Sequence, residues 1–261
     1  MKFDELFHNT FKSLRPHPSS IKHQVDLIVP SMPMVEACRA DDFDFFHPFI
    51  ASGHLTPEQM HHACDRYHLG KTKSGKPIFW MIDDMRQPLD AHIGTTTWLS
   101  SLLKTREPLL ESWRITHCLF GLHLLNHGDC PNDSSAAKIR GTVPCDSAVS
   151  SRDDLPIAIV ESESSAAVLS ILFPESIWMA YAYPGNMTPD LLEPLQGHTV
   201  TIYPRTDPTM DTYLSFLELA DSVRRLYPSI DLAIDTTLED HASDSQKDRC
   251  IDLLEFLLDS L

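Results

Sequence analysis

Residues 156–173, with the sequence PIAIVESESSAAVLSILF, constrain the fold more than any other stretch of this chain. Four apolar residues, 157–160, have the pattern of a buried strand and run directly into Glu161 and Glu163. Apolar residues then recur at helical spacing, which predicts a strand, a tight acidic turn and a helix. Ligands of open α/β sheets bind at the carboxyl ends of strands, so Glu161 is placed for chemistry. Alternatively, both glutamates only complement the dipole of the helix that they precede.

The chain after this stretch continues to alternate short strands with helices. Strand patterns occupy residues 175–182, 198–204 and 229–235, and helical patterns occupy residues 188–195 and 210–228. Such alternation predicts a parallel sheet of about four strands that is covered by helices. A last helix is predicted over residues 243–258.

The first half of the chain has a different character. Residues 55–70, LTPEQMHHACDRYHLG, predict one helix that is capped by Thr56, carries Pro57 at its first position and ends at Gly70. Residues 72–94 predict an antiparallel hairpin. We therefore expect an α/β protein in which a smaller α+β region with a hairpin precedes the parallel sheet. The expected divisions are 1–30 (helix and linker), 31–127 (α+β domain), 128–155 (loop or linker) and 156–261 (α/β domain).

Composition restricts the partners and the compartment. The net charge of −16 argues against binding nucleic-acid backbone through a broad basic surface, although it permits a site in which a metal bridges carboxylates and phosphate. No apolar run approaches the ~20 residues that cross a bilayer, so no membrane partner is expected. Residues 1–14 are too acidic and too mixed for a secretory signal, so a cytoplasmic protein is expected. Six cysteines without framework spacing suit reduced thiols.

One compact basic cluster, Lys71, Lys73 and Lys76, lies in the predicted hairpin. It is the candidate nucleic-acid-binding surface of this half, together with the neighbouring aromatic residues Phe79 and Trp80, which could stack bases. A charged edge that only discourages strand pairing, beside aromatic side chains of the core, would look the same.

Cys118, His123, His127 and Cys130 include the residue types of a zinc site. Structural zinc sites usually separate their two ligand pairs by a longer span that can wrap the ion. We therefore expect a core segment here, and zinc is not an expected cofactor.

The second half resembles a Toprim domain, the metal-dependent catalytic fold that bacterial primases and topoisomerases share. The resemblance lies in the order of an acidic strand end at Glu161, a helix, a strand with the turn AYPGNMT, a helix, and a strand with the turn YPRTD. The upstream segments RYHLG, GKPIFWMID and CLFGLHLL resemble the core of the bacterial replicative primase. The resemblance covers about residues 56–260. Among such proteins, the chain is most similar to an uncharacterised primase-related family on bacterial mobile elements.

This resemblance implies a magnesium site made by a Glu after the first strand and an Asp-x-Asp after the third. By position, Glu161 matches the Glu, and Arg205 and Asp207 stand at the two Asp positions. Glu161 and Asp207 would be the catalytic residues, Asp211 could supply a third Mg²⁺ ligand, and Glu161 could alternatively act as a general base. Arg205 would repel the ion, and Ser164 stands where such families often carry Lys. A degenerate metal site is therefore expected.

The expected function is that of a primase-like protein of DNA metabolism, associated with nucleic acid or a replication complex. DNA or RNA would be its partner, with Arg205 and the three lysines as contacts. The competing expectation is a non-catalytic acidic module that binds a basic protein. An active Mg-dependent nucleotidyl or phosphoryl transferase is the third alternative. The sequence indicates no oligomeric state.

Overall fold

The computed structural model describes residues 30–93, 96–97, 118–125, 155–182 and 187–259. The expectations for residues 1–29 and 126–154, including His127 and Cys130, lie outside the described residues.

The N-terminal region begins with helices that lead into a small antiparallel sheet. The helices are α1 (Met32–Ala37), a 3-10 turn (Asp44–Phe46), α2 (His47–Ala51) and α3 (Pro57–Arg66). The strands are β1 (Gly70–Lys71), β2 (Pro77–Ile82), β3 (Pro88–Ile93) and β4 (Thr96–Thr97), and they pair in the order β1-β2-β3-β4. The predicted hairpin is β2–β3, and the carboxylate of Asp83 accepts a hydrogen bond of 2.7 Å from the backbone N–H of Gln87 in its turn.

The start of α3 is as predicted and its end is not. Thr56 and Gln59 form a reciprocal capping box, which satisfies two backbone N–H groups at the helix start. The helix ends at Arg66, because His68 takes a left-handed backbone with φ of 52°. Gly70 belongs instead to β1, where a Cβ atom would lie 3.0 Å from the carbonyl oxygen of Cys38. Glycine is needed there for close packing rather than to end the helix.

The C-terminal region is built on a parallel sheet. Its strands are β5 (Ile157–Val160), β6 (Ile177–Ala180), β7 (Thr199–Ile202) and β8 (Asp231–Ile234), all parallel, in the order β6-β5-β7-β8. Helix α4 (Glu163–Leu172) joins β5 to β6, a 3-10 helix (Pro189–Leu195) leads to β7, and α5 (Asp211–Leu226) joins β7 to β8. Every residue of β5 and β6 is buried, as expected of strands covered on both faces. The predicted α/β class, with its helix-flanked parallel sheet, is confirmed.

One hydrophobic core extends through both regions. Phe79 and Met81 of β2 belong to the same buried cluster as β5, whereas Ile78, Trp80 and Ile82 on the other face of β2 pack in a smaller cluster. The hydroxyl of Tyr67, just after α3, donates a buried hydrogen bond of 2.7 Å to the carbonyl of Trp178. Beside it, the segment at Phe120 forms an antiparallel bridge to Ala180 at the edge of β6.

The C-terminal helix predicted over residues 243–258 is divided in two. After the short helix α6 (Thr237–His241), helices α7 (Asp244–Asp248) and α8 (Leu253–Leu258) are separated by Cys250, whose φ is 54°. Each of the last two helices has its own capping box, made by Ser243 with Gln246 and by Asp252 with Glu255. Within the described ranges, none of the helices has the length and apolar character required to span a bilayer.

Candidate functional site

The candidate site lies where the strand order of the parallel sheet reverses. Strand β5 connects forward to β6 on one side, while β7 pairs on its other side. In open α/β sheets, the crevice outside the carboxyl ends of two such strands is the usual ligand-binding position. The chain leaves β5 at Glu161 and leaves β7 at Tyr203, whose backbone N–H donates to the carbonyl of Ile159 at 2.8 Å. Residues 161–163 and 203–207 therefore meet at one edge.

An ion pair joins these two strand ends. Nε of Arg205 lies 3.3 Å from Oε2 of Glu161, and the two side chains are 37% and 16% exposed. Both atoms are buried and neither makes a hydrogen bond within the described residues, so the contact is electrostatic. Burial raises the pKa of Glu161, while Arg205 opposes the rise and the nearby Asp252 adds to it. Arg205 therefore points into the site and supplies its positive charge.

Tyr181 is a neighbour of Glu161 that sequence reasoning missed. Because Val160 pairs with Ala180, the next residues, Glu161 and Tyr181, stand side by side on one face. The ring of Tyr181 packs on Phe216 of α5 at a centroid distance of 5.3 Å, and the residue is 3% exposed. Its hydroxyl has no hydrogen-bond partner within the described residues. Burial raises its pKa well above the ordinary value of 10, and the charge of Glu161 raises it further.

The carboxylate of Asp207, which precedes the N-cap residue Met210, caps helix α5 from outside it. Its Oδ1 accepts hydrogen bonds from the N–H and hydroxyl of Thr209, at 2.9 and 2.7 Å, and from the N–H of Asp211 at 3.1 Å. Its Oδ2 accepts from the N–H of Thr212 at 2.7 Å. Burial alone would raise the pKa of Asp207, but these hydrogen bonds outweigh it and hold the pKa well below its usual range. Asp207 thus stabilises the first turn of the helix that follows β7.

The expected magnesium ligands do not form a ligand set. Asp211 is exposed at the start of α5, with Oδ2 2.7 Å from the hydroxyl of Thr209. Among the residues that the structure describes, no group of three or more His, Cys, Asp or Glu side chains is arranged to hold a metal ion. Mg²⁺ needs several hard oxygen ligands in near-octahedral geometry. A site with Arg205 against Glu161 and both oxygens of Asp207 in hydrogen bonds does not fit that ion.

Other acidic groups around Glu161 are engaged by neighbours. Oε1 of Glu163, in the first turn of α4, lies 2.6 Å from Nδ1 of His92 on β3, and both side chains are at most 8% exposed. Asp252, the cap of α8, accepts a hydrogen bond from the hydroxyl of Ser165. Ser164 stands beside Ser162, with their hydroxyl oxygens 2.7 Å apart. The sequence offered no signal for His92, which is 71 residues from its partner.

The lysine cluster belongs to the N-terminal region, whereas this crevice lies in the C-terminal region. Nζ of Lys71 is 4.9 Å from the ring centroid of Phe43, a cation–π contact, while Lys73 and Lys76 are exposed. Phe79 and Trp80 beside them are buried, so these aromatic side chains belong to the core and are not available to stack bases.

The two described members of the candidate zinc group have other surroundings. His123 is buried, with Nε2 3.1 Å from the carbonyl oxygen of Arg66. Burial raises the pKa of the Cys118 thiol.

A model of a family described as a domain of unknown function, DUF6371, matches residues 146–206. The match contains β5, α4, β6 and β7, and it ends one residue beyond Arg205. No curated protein and no solved structure matches the chain.

Proposed function

We propose that the C-terminal region is a Toprim-like domain of DNA metabolism in which an arginine has replaced the metal ion. In this proposal the protein is cytoplasmic and acts by binding nucleic acid within a replication complex, without catalysing phosphoryl transfer. The observation that carries the proposal is the ion pair between Arg205 and Glu161 at the reversal of strand order.

Two features support a Toprim-like arrangement. The acidic residue after the first strand of the parallel sheet and the Arg-x-Asp after the third are brought to adjacent strand ends. These are the positions at which the resemblance implies metal ligands. The strand order β6-β5-β7-β8 puts the first strand between the second and the third, which creates the crevice.

Two further features support the loss of metal chemistry. The guanidinium of Arg205 already offsets the charge of Glu161, and a divalent cation a few ångströms away would be repelled by it. Asp207 has both carboxylate oxygens in hydrogen bonds to α5, so recruiting it as a ligand would uncap that helix.

A fluorescence-anisotropy titration of labelled single-stranded DNA, in EDTA and in Mg²⁺, tests this function. We expect equal binding in both buffers and no primer synthesis by the Mg²⁺-containing sample. Absence of DNA binding in both buffers would contradict the nucleic-acid part of the proposal. Mg²⁺-dependent primer synthesis that disappears in Glu161→Gln would contradict the loss of catalysis.

A second candidate function, a module that binds a basic protein, is favoured by the outer face of α5. Leu214 and Leu217 are 51% and 37% exposed there, next to the exposed acidic residues Glu218 and Asp221. An acidic and apolar helix face matches a partner helix with apolar and basic residues. The double substitution Leu214→Ser, Leu217→Ser should abolish binding of a basic amphipathic peptide while DNA binding stays unchanged. Loss of DNA binding alone would count against this candidate.

A further inference from the structure

We propose that the outer edge of the Arg205 guanidinium, together with the hydroxyl of Tyr181, binds a terminal phosphate group. The phosphate would belong to a nucleic-acid end or to a free nucleotide, which present the same monoester. This site rests on the proposed function, because it names the group that a metal-free crevice of this kind would take.

The guanidinium of Arg205 has N–H donors that the described residues do not use. Only Nε faces Glu161, and the terminal nitrogens have no hydrogen bond or second ion pair within the described part of the chain. The side chain is 37% exposed, so these nitrogens can be reached from solvent. A guanidinium presents its N–H groups as a planar fork that matches two phosphate oxygens.

Glu161 acts as a positioning residue for this donor. A free arginine side chain loses rotamer freedom when it binds a ligand, and a carboxylate that already holds Nε reduces that loss. In this arrangement Arg205 bridges a carboxylate and a phosphate, as a divalent cation would do in a metal-dependent site.

The buried hydroxyl of Tyr181 also indicates a ligand at this site. A buried hydroxyl without a hydrogen bond destabilises a folded chain, so its presence calls for an explanation. The hydroxyl of Tyr181 has no partner within the described residues, and the side chain lies beside Glu161 on the same sheet face. An oxygen of a phosphate held by Arg205 would be its acceptor.

The surrounding carboxylates define the kind of phosphate. Glu163 faces His92, Asp252 accepts from Ser165, and Glu255 accepts from the backbone N–H of Asp252. These groups are engaged, yet their charges oppose a ligand that carries many phosphates along a track. A terminal monoester concentrates nearly two charges on one group and can enter beside Arg205 alone.

The test uses the full-length protein and three probes, namely inorganic phosphate, a nucleoside monophosphate, and a fluorescent single-stranded oligonucleotide with either a 5′-phosphate or a 5′-hydroxyl. Arg205→Gln should weaken binding of the phosphorylated probes by about tenfold or more, since a charge-assisted pair is lost. Arg205→Lys keeps the charge but not the fork, and an intermediate loss is expected. The matched control is Arg225→Gln, which removes an equal charge from the exposed end of α5 and should leave binding within about twofold.

Tyr181→Phe separates a binding role from a structural one. Removal of an unpartnered buried hydroxyl should leave the unfolding temperature unchanged or raise it. Binding of the phosphorylated probes should nevertheless fall by about threefold to tenfold, because a neutral hydrogen bond is lost. A variant that binds as wild type would remove Tyr181 from the site and overturn the proposal.

The outcomes distinguish this site from the function on which it rests. Preference for the 5′-phosphate that is lost in Arg205→Gln supports the site, and competition by the nucleoside monophosphate identifies a free nucleotide as a second source. DNA binding that ignores the 5′-phosphate and survives Arg205→Gln overturns the site while the proposed function stands. Failure of every probe to bind wild type overturns both.

Discussion

Nε of Arg205 and Oε2 of Glu161 are 3.3 Å apart, although the two residues leave different strands, β7 and β5. The pair lies at the reversal of strand order and puts a positive charge where the resemblance implies a magnesium ion. Its buried atoms make no hydrogen bond within the described residues, so the ion pair offsets only part of the free energy lost when the charged carboxylate of Glu161 is buried. The pH dependence of stability should report that cost.

The stability of the Glu161→Gln protein relative to wild type should increase as the pH rises. Burial raises the folded-state pKa of Glu161 above its ordinary value of 4.5, so the folded chain prefers the protonated carboxyl. This contribution to stability is complete below about pH 4.5 and is lost as the pH rises through the folded-state pKa. Glutamine does not titrate. Urea unfolding of both proteins between pH 4 and pH 8 measures the difference.

The control for this series is Glu218→Gln, which removes the same charge from the exposed face of α5. A Glu161→Gln protein that loses stability relative to wild type as the pH rises would contradict the assigned burial of Glu161.

Asp207→Ala should destabilise the fold by about 1–2 kcal/mol at neutral pH through loss of the cap of α5. The folded-state pKa of Asp207 is held below its ordinary 3.8, so its stabilising effect is present above that pH and disappears as the pH falls further. The gap between wild type and variant should therefore close in acid. Asp221→Ala, on the exposed face of the same helix, is the control. An equal loss in both variants would mean that Asp207 is not a cap.

Gly121→Ala should be more destabilising than Gly197→Ala by about 2 kcal/mol. Both glycines have φ of 87°, so both substitutions pay the same backbone strain. At Gly121 alone a Cβ atom would lie 3.0 Å from the carbonyl oxygen of Trp178 and 3.1 Å from the ring of Tyr67, whereas nothing lies within 4 Å at Gly197. Thermal unfolding of the two variants measures the difference. Equal losses would contradict the packing of residues 118–125 on β6.

The buried pair of His92 and Glu163 should couple the antiparallel sheet to α4. Each single substitution to alanine leaves its partner buried, which costs about 3–5 kcal/mol. The double variant should lose less than the sum of the two, with a coupling energy above about 1 kcal/mol. Strict additivity in this double-mutant cycle would contradict the contact.

Local patterns in the sequence predicted much of the fold. The capping box at Thr56 and the strand and helix of residues 157–172 follow from spacing and cap chemistry that operate over one or two turns. The break between α7 and α8 escaped prediction, because an apolar pattern alone does not reveal the left-handed backbone of Cys250.

The candidate site was predictable only in part. The resemblance placed Glu161 and Arg205 in one site, because local patterns alone do not show which strands of a sheet are neighbours. Sequence spacing could not show that Arg205 pairs with Glu161 or that His92 contacts Glu163. Nor could it show that Asp207 accepts hydrogen bonds from the start of α5. Each of these depends on side-chain direction or on contacts between distant segments.

Calorimetric titration of wild-type protein with Mg²⁺ and Mn²⁺, alongside Glu161→Gln, tests the proposed replacement of the metal by Arg205 most directly. The account predicts no saturable binding at Glu161, and therefore identical titrations of the two proteins. Stoichiometric binding by wild type that is lost in Glu161→Gln would contradict it. Such a result would mean that the ion displaces the guanidinium of Arg205 from Glu161.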